Sequence, residues 1–303
     1  MGRRNRKAEG RSPKSEEENK SEIENKSEIE HPKSEIKNME VHHHPDLHHA
    51  KKPWKEYILE GLMIFLAVTM GFFAENLREH ISDSNREKEF AKALYAELSA
   101  DSVVAANNLL LRIGKAKDLD YLYAYFKDSS LTVLPRRFYP AFTNGLYLIN
   151  SYQFEPKDGV LGQLRSSGSE RYFKSVALQK LLGDLSVAIN NMRYRNDQEY
   201  QFFASPLKAF LLKYYDFSWL NQLRQEEASS SILDQINAYR QSNREIKGNI
   251  LNVASVDRVE AANMMIFYKQ MLLSTQTLQL NNYIVANRKI LDFLRKTYTL
   301  ENE

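Results

Sequence analysis

Three patterns of apolar and polar positions follow one another along the chain. Residues 1–56 carry charged and small polar side chains with only isolated apolar ones. Residues 57–77, Y-I-L-E-G-L-M-I-F-L-A-V-T-M-G-F-F-A-E-N-L, are almost continuously apolar. From residue 82 to 303 apolar residues return at three- and four-residue steps, the mark of amphipathic helices. Ser82 or Asp83 can cap the first of these, with Glu87 and Glu89 suited to its first turn. Phe90, Leu94, Leu98, Ala105, Leu109 and Ile113 form its buried stripe, Gly114 ends or bends it, and Leu119, Leu122, Tyr123 and Phe126 continue the pattern. Pro135, Pro140, Gly145 and Pro156 punctuate residues 129–157, whose many aromatics predict a packed loop. Helices are expected at 158–167, 170–195, 197–214, 218–246 and 256–299, with Gly248 as a helix end. The expected fold is all-α: a disordered tail over 1–56, a transmembrane helix over 57–77, and a helical bundle with long helices over 82–303.

The apolar stretch decides the class. Between Gly61 and Ala74 no residue is charged and Thr69 is the lone polar side chain. Fourteen such residues alone would suit a buried core helix. Ile58 and Leu59 lengthen the run, and 21 residues at ~1.5 Å each reach ~31 Å, the thickness of a hydrocarbon slab. Glu60 and Glu75 then fall near the two interfaces, where a carboxylate reaches water. Trp54, Tyr57, Phe72 and Phe73 fit an interfacial aromatic arrangement. The competing reading is a very apolar first helix of a soluble bundle. More than fifty hydrophilic residues precede the stretch, so it reads as an uncleaved anchor, not a signal peptide. Positive charge is nearly even at its two ends (Lys51, Lys52 and Lys55 against Arg78, Arg86 and Lys88), and the tail adds more. The orientation expected from this balance puts the tail in the cytoplasm and the helical body outside it.

The tail holds 13 Lys+Arg and 12 Asp+Glu with few large apolar residues, so burial cannot offset its ordering entropy. Ser21-Glu22-Ile23, Ser27-Glu28-Ile29 and Ser34-Glu35-Ile36 form an imperfect repeat within it, read as low complexity, with a short partner motif as the alternative. His42, His43, His44, His48 and His49 with Asp46 could ligate a divalent metal weakly. A mobile tract lacks groups to orient the rings, so no metal site is assigned.

Composition narrows the chemistry. The 303 residues include 42 Lys+Arg against 39 Asp+Glu, a balance that removes the simplest case for nucleic-acid binding. A mean hydropathy of −0.54 excludes a multi-pass membrane protein. No cysteine occurs, so disulfides, thiolate nucleophiles and iron–sulfur ligation are absent. The last of the seven histidines is His80, which leaves the body without the commonest general base. No enzyme, cofactor or catalytic residue is predicted. One segment, Gly159 to Arg171, stands out: a short helix stopped at Gly168 with Ser169 capping the next. The competing view has Arg165, Ser166, Ser167 and Arg171 presenting donors to an anion. Met264, Met265 and Met271 read as core in preference to a sticky surface.

K-K-P-W-K-E-Y-I-L-E-G-L-M-I-F-L-A-V-T-M-G-F-F-A-E-N-L-R-E-H, followed by R-E-K-E-F and Y-A-E-L-S-A-D, resembles the start of an uncharacterised family of Bacteroidetes single-pass membrane-anchored helical proteins, a domain of unknown function. L-R-S-S-G-S-E-R at 164–171 resembles a second, shorter pattern shared by that family. The resemblance covers about 45 residues firmly and the rest loosely, and the long repeat-bearing tail departs from it. It implies a single-pass inner-membrane protein of a Gram-negative cell, for which the charge-based orientation puts the body in the periplasm, and supplies no activity, ligand or site residue. The function expected is that of a non-enzymatic interaction or scaffold protein, held in the bilayer through 57–77, with a protein partner or copies of itself and no nucleic acid. An extracytoplasmic sensor or small-ligand-binding module is the alternative.

Overall fold

The structure is a computed structural model that describes residues 53–225 and 230–300. The histidine cluster, the repeats and nearly all of the expected tail lie outside the described residues. The chain divides into two units, residues 1–64 and 65–303. Among the described residues the fold is all-α, as the spacing predicts, with no strand.

The first helix, α1, is Trp54–Asp128, 75 residues without a break. Neither Ser82 nor Gly114 interrupts it, contrary to the sequence-based expectation. Ser82-Asp83-Ser84-Asn85 are weak helix formers, but each costs at most about 0.7 kcal/mol and none is Pro, and an exposed mid-helix glycine costs only about 1 kcal/mol, so neither site forces an end. The apolar stretch lies on this helix, has no buried residue in the isolated chain, and is long and apolar enough to cross a membrane.

A short helix, α2 (Phe138–Phe142), runs into a π turn at Thr143–Tyr147. Next comes α3 (Gly159–Ser166), ended as expected by Gly168 in the left-handed region at φ 66°. The following helix does not start at Ser169. A 3-10 turn intervenes, and Ser175 is the cap of α4 (Val176–Phe202), its hydroxyl accepting from the Leu178 amide. The two helices expected over 170–214 are one continuous run. A π turn at Phe203–Leu207 accommodates Pro206, and α5 (Lys208–Tyr214) completes it. The expected 218–246 helix is instead α6 (Phe217–Arg224) and α7 (Ile232–Gln241), followed by extended chain. The last run, α8 (Arg258–Ser274) and α9 (Asn281–Tyr298), is continuous through a π turn at Thr275–Leu280, close to the predicted 256–299.

Cross-helix hydrogen bonds give the directions. Tyr298 donates to Glu87, Asn287 to the Leu98 carbonyl, Lys269 to Asp120, and Arg258 to the Phe126 carbonyl. As α1 numbers rise, α8–α9 numbers fall, so that run is antiparallel to α1. Arg86 meets Tyr172 and Arg112 meets Glu199, so α4 runs parallel to α1. Two apolar cores lie in succession along α1. The first joins Leu94 and Leu98 to Leu178, Leu185, Ile290 and Leu294. The second joins Leu119, Leu122 and Phe126 to Phe142, Phe210, Trp219 and Met265. Met265 is buried there, as its core reading required, and Met264 packs against it partly buried.

The irregular segments are held by tyrosine hydroxyls. Tyr125 donates to the carbonyls of Ser130 and Val133, Tyr214 to Ser255, and Tyr139 to Asn249 at 2.6 Å. Gly248 is not a helix end. It lets the extended chain lie against Tyr139, and a Cβ there would stand 2.4 Å from the ring. Gly248→Ala must push the Tyr139 ring out of its stack with Trp219, and an overpacking cost of about 1–3 kcal/mol is expected. Thermal unfolding followed by far-UV circular dichroism checks it; an unchanged midpoint contradicts the close approach.

Candidate functional site

The inward face of α1 keeps one rhythm for 36 residues: 91, 94, 98, 101, 105, 108, 112, 115, 119, 122 and 126, alternating steps of three and four. All eleven residues are buried. The first three and the last three are apolar, as a buried stripe requires, whereas the middle of the series contains Asp101, Asn108, Arg112 and Lys115. A strict seven-residue period with polar members inside it means that these side chains are packed because of their position, not in spite of it. Asn108, Arg112 and Lys115 separate the two apolar cores, and Asp101 lies within the first.

Arg112 and Glu199 are the centre of this layer. The guanidinium donates to both carboxylate oxygens at 2.9 and 3.0 Å, and its Nε donates to Asn108 Oδ1 at 3.0 Å. Both side chains are sealed, 0% and 1% exposed. Glu199 also accepts from Thr275 Oγ1 at 2.5 Å, and Arg195 Nε donates to that same hydroxyl. The pair therefore ties α1, α4 and the α8–α9 turn at one height.

Lys115 lies one turn along α1, fully buried. Its ammonium donates to the carbonyls of Asn144 and Leu148 at 3.1 and 2.5 Å, the oxygens at the far side of the first π turn. Nζ also sits 4.3 Å from the Tyr152 ring centre and 5.1 Å from that of Tyr268. Burial is the largest influence and lowers its pKa to about 7, against the opposing pull of Glu199, with Arg112 lowering it further and Asp118 raising it. Asp118 receives the Asn144 amide at 2.6 Å and Arg240 at 2.6 Å, while Tyr152 donates to Asn144 Oδ1. Beyond Arg112, Asp101 accepts from Tyr283 at 2.8 Å and from the Lys157 amide at 2.7 Å, and Asn287 joins Tyr283 to the Leu98 carbonyl. Burial chiefly pushes the phenols of Tyr152, Tyr268 and Tyr283 well above the usual range.

This arrangement holds charge in fixed geometry with its donors and acceptors engaged, and its chemical capacity is that of a lock. It reaches the surface at Asp118, where Gly114, Lys117, Arg136, Arg137 and Arg240 line an open cleft of about 550 Å³. Four cations face one carboxylate there. Arg136 is engaged by the carbonyls of Tyr239, Ser242 and Arg244, and Arg137 lies over the Tyr121 ring.

The segment read from sequence as a possible anion cradle is arranged differently. Arg165 is engaged by Glu170 and Ser186, and the hydroxyls of Ser166 and Ser167 turn back to the Gln163 carbonyl. Arg171 points instead to the Tyr172 hydroxyl, shared with Arg86, in a cleft with Glu75, Arg78, Glu79, Ser82 and Asp83. The four donors do not converge. Among the described residues no group of three or more His, Asp or Glu side chains is placed to hold a metal ion. The buried polar layer escaped the sequence reading because charged residues were assigned to solvent. Its signal is the uninterrupted three–four step that carries Asp101, Asn108, Arg112 and Lys115 in phase with Leu94 and Leu119.

No protein-family model, curated protein or solved structure matches the chain.

Two outcomes test the layer. Removing one partner of the sealed pair (Glu199→Leu or Arg112→Met) strands a buried charge, and a loss of about 3–5 kcal/mol is expected. Arg112→Met with Glu199→Leu should recover most of that loss, and urea unfolding of the four proteins measures it; additive losses would refute the coupling. Lys115 gives a pH dependence. Its folded pKa near 7 lies below the unfolded value, so the unfolded chain holds more protons from about pH 7 to 10. Stability must therefore rise with pH from about 7 to 9, below the range where the buried tyrosines with raised pKa act in the opposite direction, and Lys115→Met should flatten the rise. The body has no Cys and no His after His80 to titrate there and obscure it.

Proposed function

We propose that this chain is a single-pass, membrane-anchored interaction protein, with no catalytic role. Residues 57–77 cross the inner membrane of a Gram-negative cell, the tail faces the cytoplasm, and the helical body stands in the periplasm. The resemblance of residues 51–101 to a family of anchored helical proteins supports the placement. The apolar exposed stretch supports the anchor, since the described fold offers it nothing to pack against.

One observation carries the interaction reading. Beyond the span, α1 presents solvent with an uncharged, largely apolar face, in which Val103 is 64% and Leu110 67% exposed, over a buried core. A body built to hold a ligand inside would open a polar cavity between its helices, and the polar groups at the centre of this one are bonded to each other. A second reading, a sensor of small anions, is favoured by the excess positive charge of the cleft at Lys117, Arg136, Arg137 and Arg240. That cleft is wide and shallow on the surface, which suits a weak ligand.

The anchor is tested by fractionation. The full-length chain should stay with membranes through an alkaline carbonate wash. Phe65→Arg with Val68→Arg places two charges in mid-span at about 2.5–3.5 kcal/mol each and should release it. Native chain recovered in the aqueous fraction without detergent overturns the proposal.

A further inference from the structure

Between Lys92 and Lys117, α1 is charged inside and apolar outside. The charged residues of that interval, Glu97, Asp101, Arg112 and Lys115, are buried or half-buried. Every exposed residue between the two lysines is uncharged, and Asn107 is the only one with a polar side chain. The exposed residues are not scattered. Ala93, Ala96, Ala100, Val103, Asn107 and Leu110 repeat the three–four step of the core face two positions later, which is about 200° round the helix. Val104 and Ile113 flank them, both exposed. One helix thus carries two seven-residue repeats on opposite sides: one closed over the body, the other open.

We propose that the open repeat is covered by the same repeat of a second copy of this chain, paired parallel and in register. The inference rests on the anchored reading and supplies its partner. A seven-residue apolar repeat is the requirement for two helices to wrap along one seam. Copies inserted through the same span share one direction and one height, so residue 107 meets residue 107 and residue 110 meets residue 110. The face suits that self-meeting. It brings no like charges together, and its one amide finds in its own copy a donor and an acceptor. A lone Asn at such a position selects two strands and fixes their register.

The rim is complementary as well. With Ala93, Ala100 and Asn107 as the first seam positions, Lys92 of one copy flanks Glu97 of the other, five residues on. That is the pairing by which rim charges choose a parallel partner. Glu97 is half-exposed, and its oxygens accept from the Val160 amide at 3.2 and 3.3 Å, which holds the carboxylate in place. The seam is short, about 26 Å at ~1.5 Å per residue, and small-residue-rich. It offers fewer residues than the twenty to thirty per side of a typical stable interface. Confinement to one bilayer supplies the remainder, since tethering raises the effective concentration to about millimolar.

The chain's lack of cysteine makes the test direct. Single substitutions Val103→Cys, Asn107→Cys and Leu110→Cys in the full-length chain, oxidised with copper phenanthroline in native membranes, should each give a disulfide-linked band of twice the monomer mass. Val187→Cys, exposed on α4, should give at least tenfold less. Maleimide labelling of the same variants separates the failures. Thiols at 103 and 110 that resist maleimide yet give no doubled band would mean that a different protein covers the face, ending the second-copy inference but not the interaction reading. Thiols that label freely and do not cross-link would end both.

Discussion

A guanidinium and a carboxylate sealed from water set the terms for the rest of the body. Taking both ions out of water costs several kcal/mol each before their attraction is counted. That cost is acceptable only if every donor and acceptor is met. Arg112 meets it with Glu199 and Asn108, and Glu199 with Arg112 and Thr275. Those partners lie on three separate helical runs, so the runs have one workable height relative to each other. A slide of one turn would leave a bare charge in the core. Apolar layers alone would not forbid that slide, because Leu94, Leu98, Leu178 and Leu185 can exchange neighbours at little cost. The polar layer acts as the register of the bundle, and the apolar cores on either side provide most of the driving force.

The π turns follow from the same requirement. Thr275 opens the turn between α8 and α9, and Asn144 lies in the turn after α2. A widened turn leaves carbonyls and side chains aimed where an α-helix would not aim them. Lys115 takes two such carbonyls, from Asn144 and Leu148, and the hydroxyl of Thr275 reaches Glu199. The third π turn, at Phe203–Leu207, has a local cause, since Pro206 donates no hydrogen bond and must be bypassed. Far from the charges, tyrosines take over the pinning. Tyr139 joins the Asn249 carbonyl to the Asp216 amide, and Tyr239 accepts from the Ile246 amide, so the extended chain after α7 is fastened without any ladder.

The readable and unreadable parts of this fold divide along physical lines. Apolar periodicity announced the helical class, the stripe through Leu94, Leu98 and Ala105, and the long final run, because burial of apolar area acts at every turn. Gly168 was legible because only glycine takes a positive φ without strain. Capping signals misled where nothing required an end: Ser82 and Ser169 have cap chemistry, yet α1 continues and Ser175 caps instead. Gly248 looked like a helix stop, while its role is to admit the Tyr139 ring. The buried layer was hidden because sequence reading assigns Arg and Lys to water by their usual energetics. Their partners Glu199, Asn144 and Leu148 lie 29 to 87 residues away, a distance that no local pattern conveys.

Burying charge on one side of α1 bears on the other side. An amphipathic helix at a protein surface normally directs its charged residues outward, and their hydration keeps the exposed face from associating. Here Asp101, Arg112 and Lys115 are committed to register within the body, so between residues 93 and 116 only the partly exposed Glu97 shows charge to solvent. The outward repeat of Ala93, Ala100, Val103, Asn107 and Leu110 keeps the same seven-residue period as the inward one. The helix that fixes the inner bundle therefore leaves an uncharged, largely apolar face on its outer side. Under the pairing proposed above, the apolar stretch on the same helix would hold two copies side by side in one bilayer.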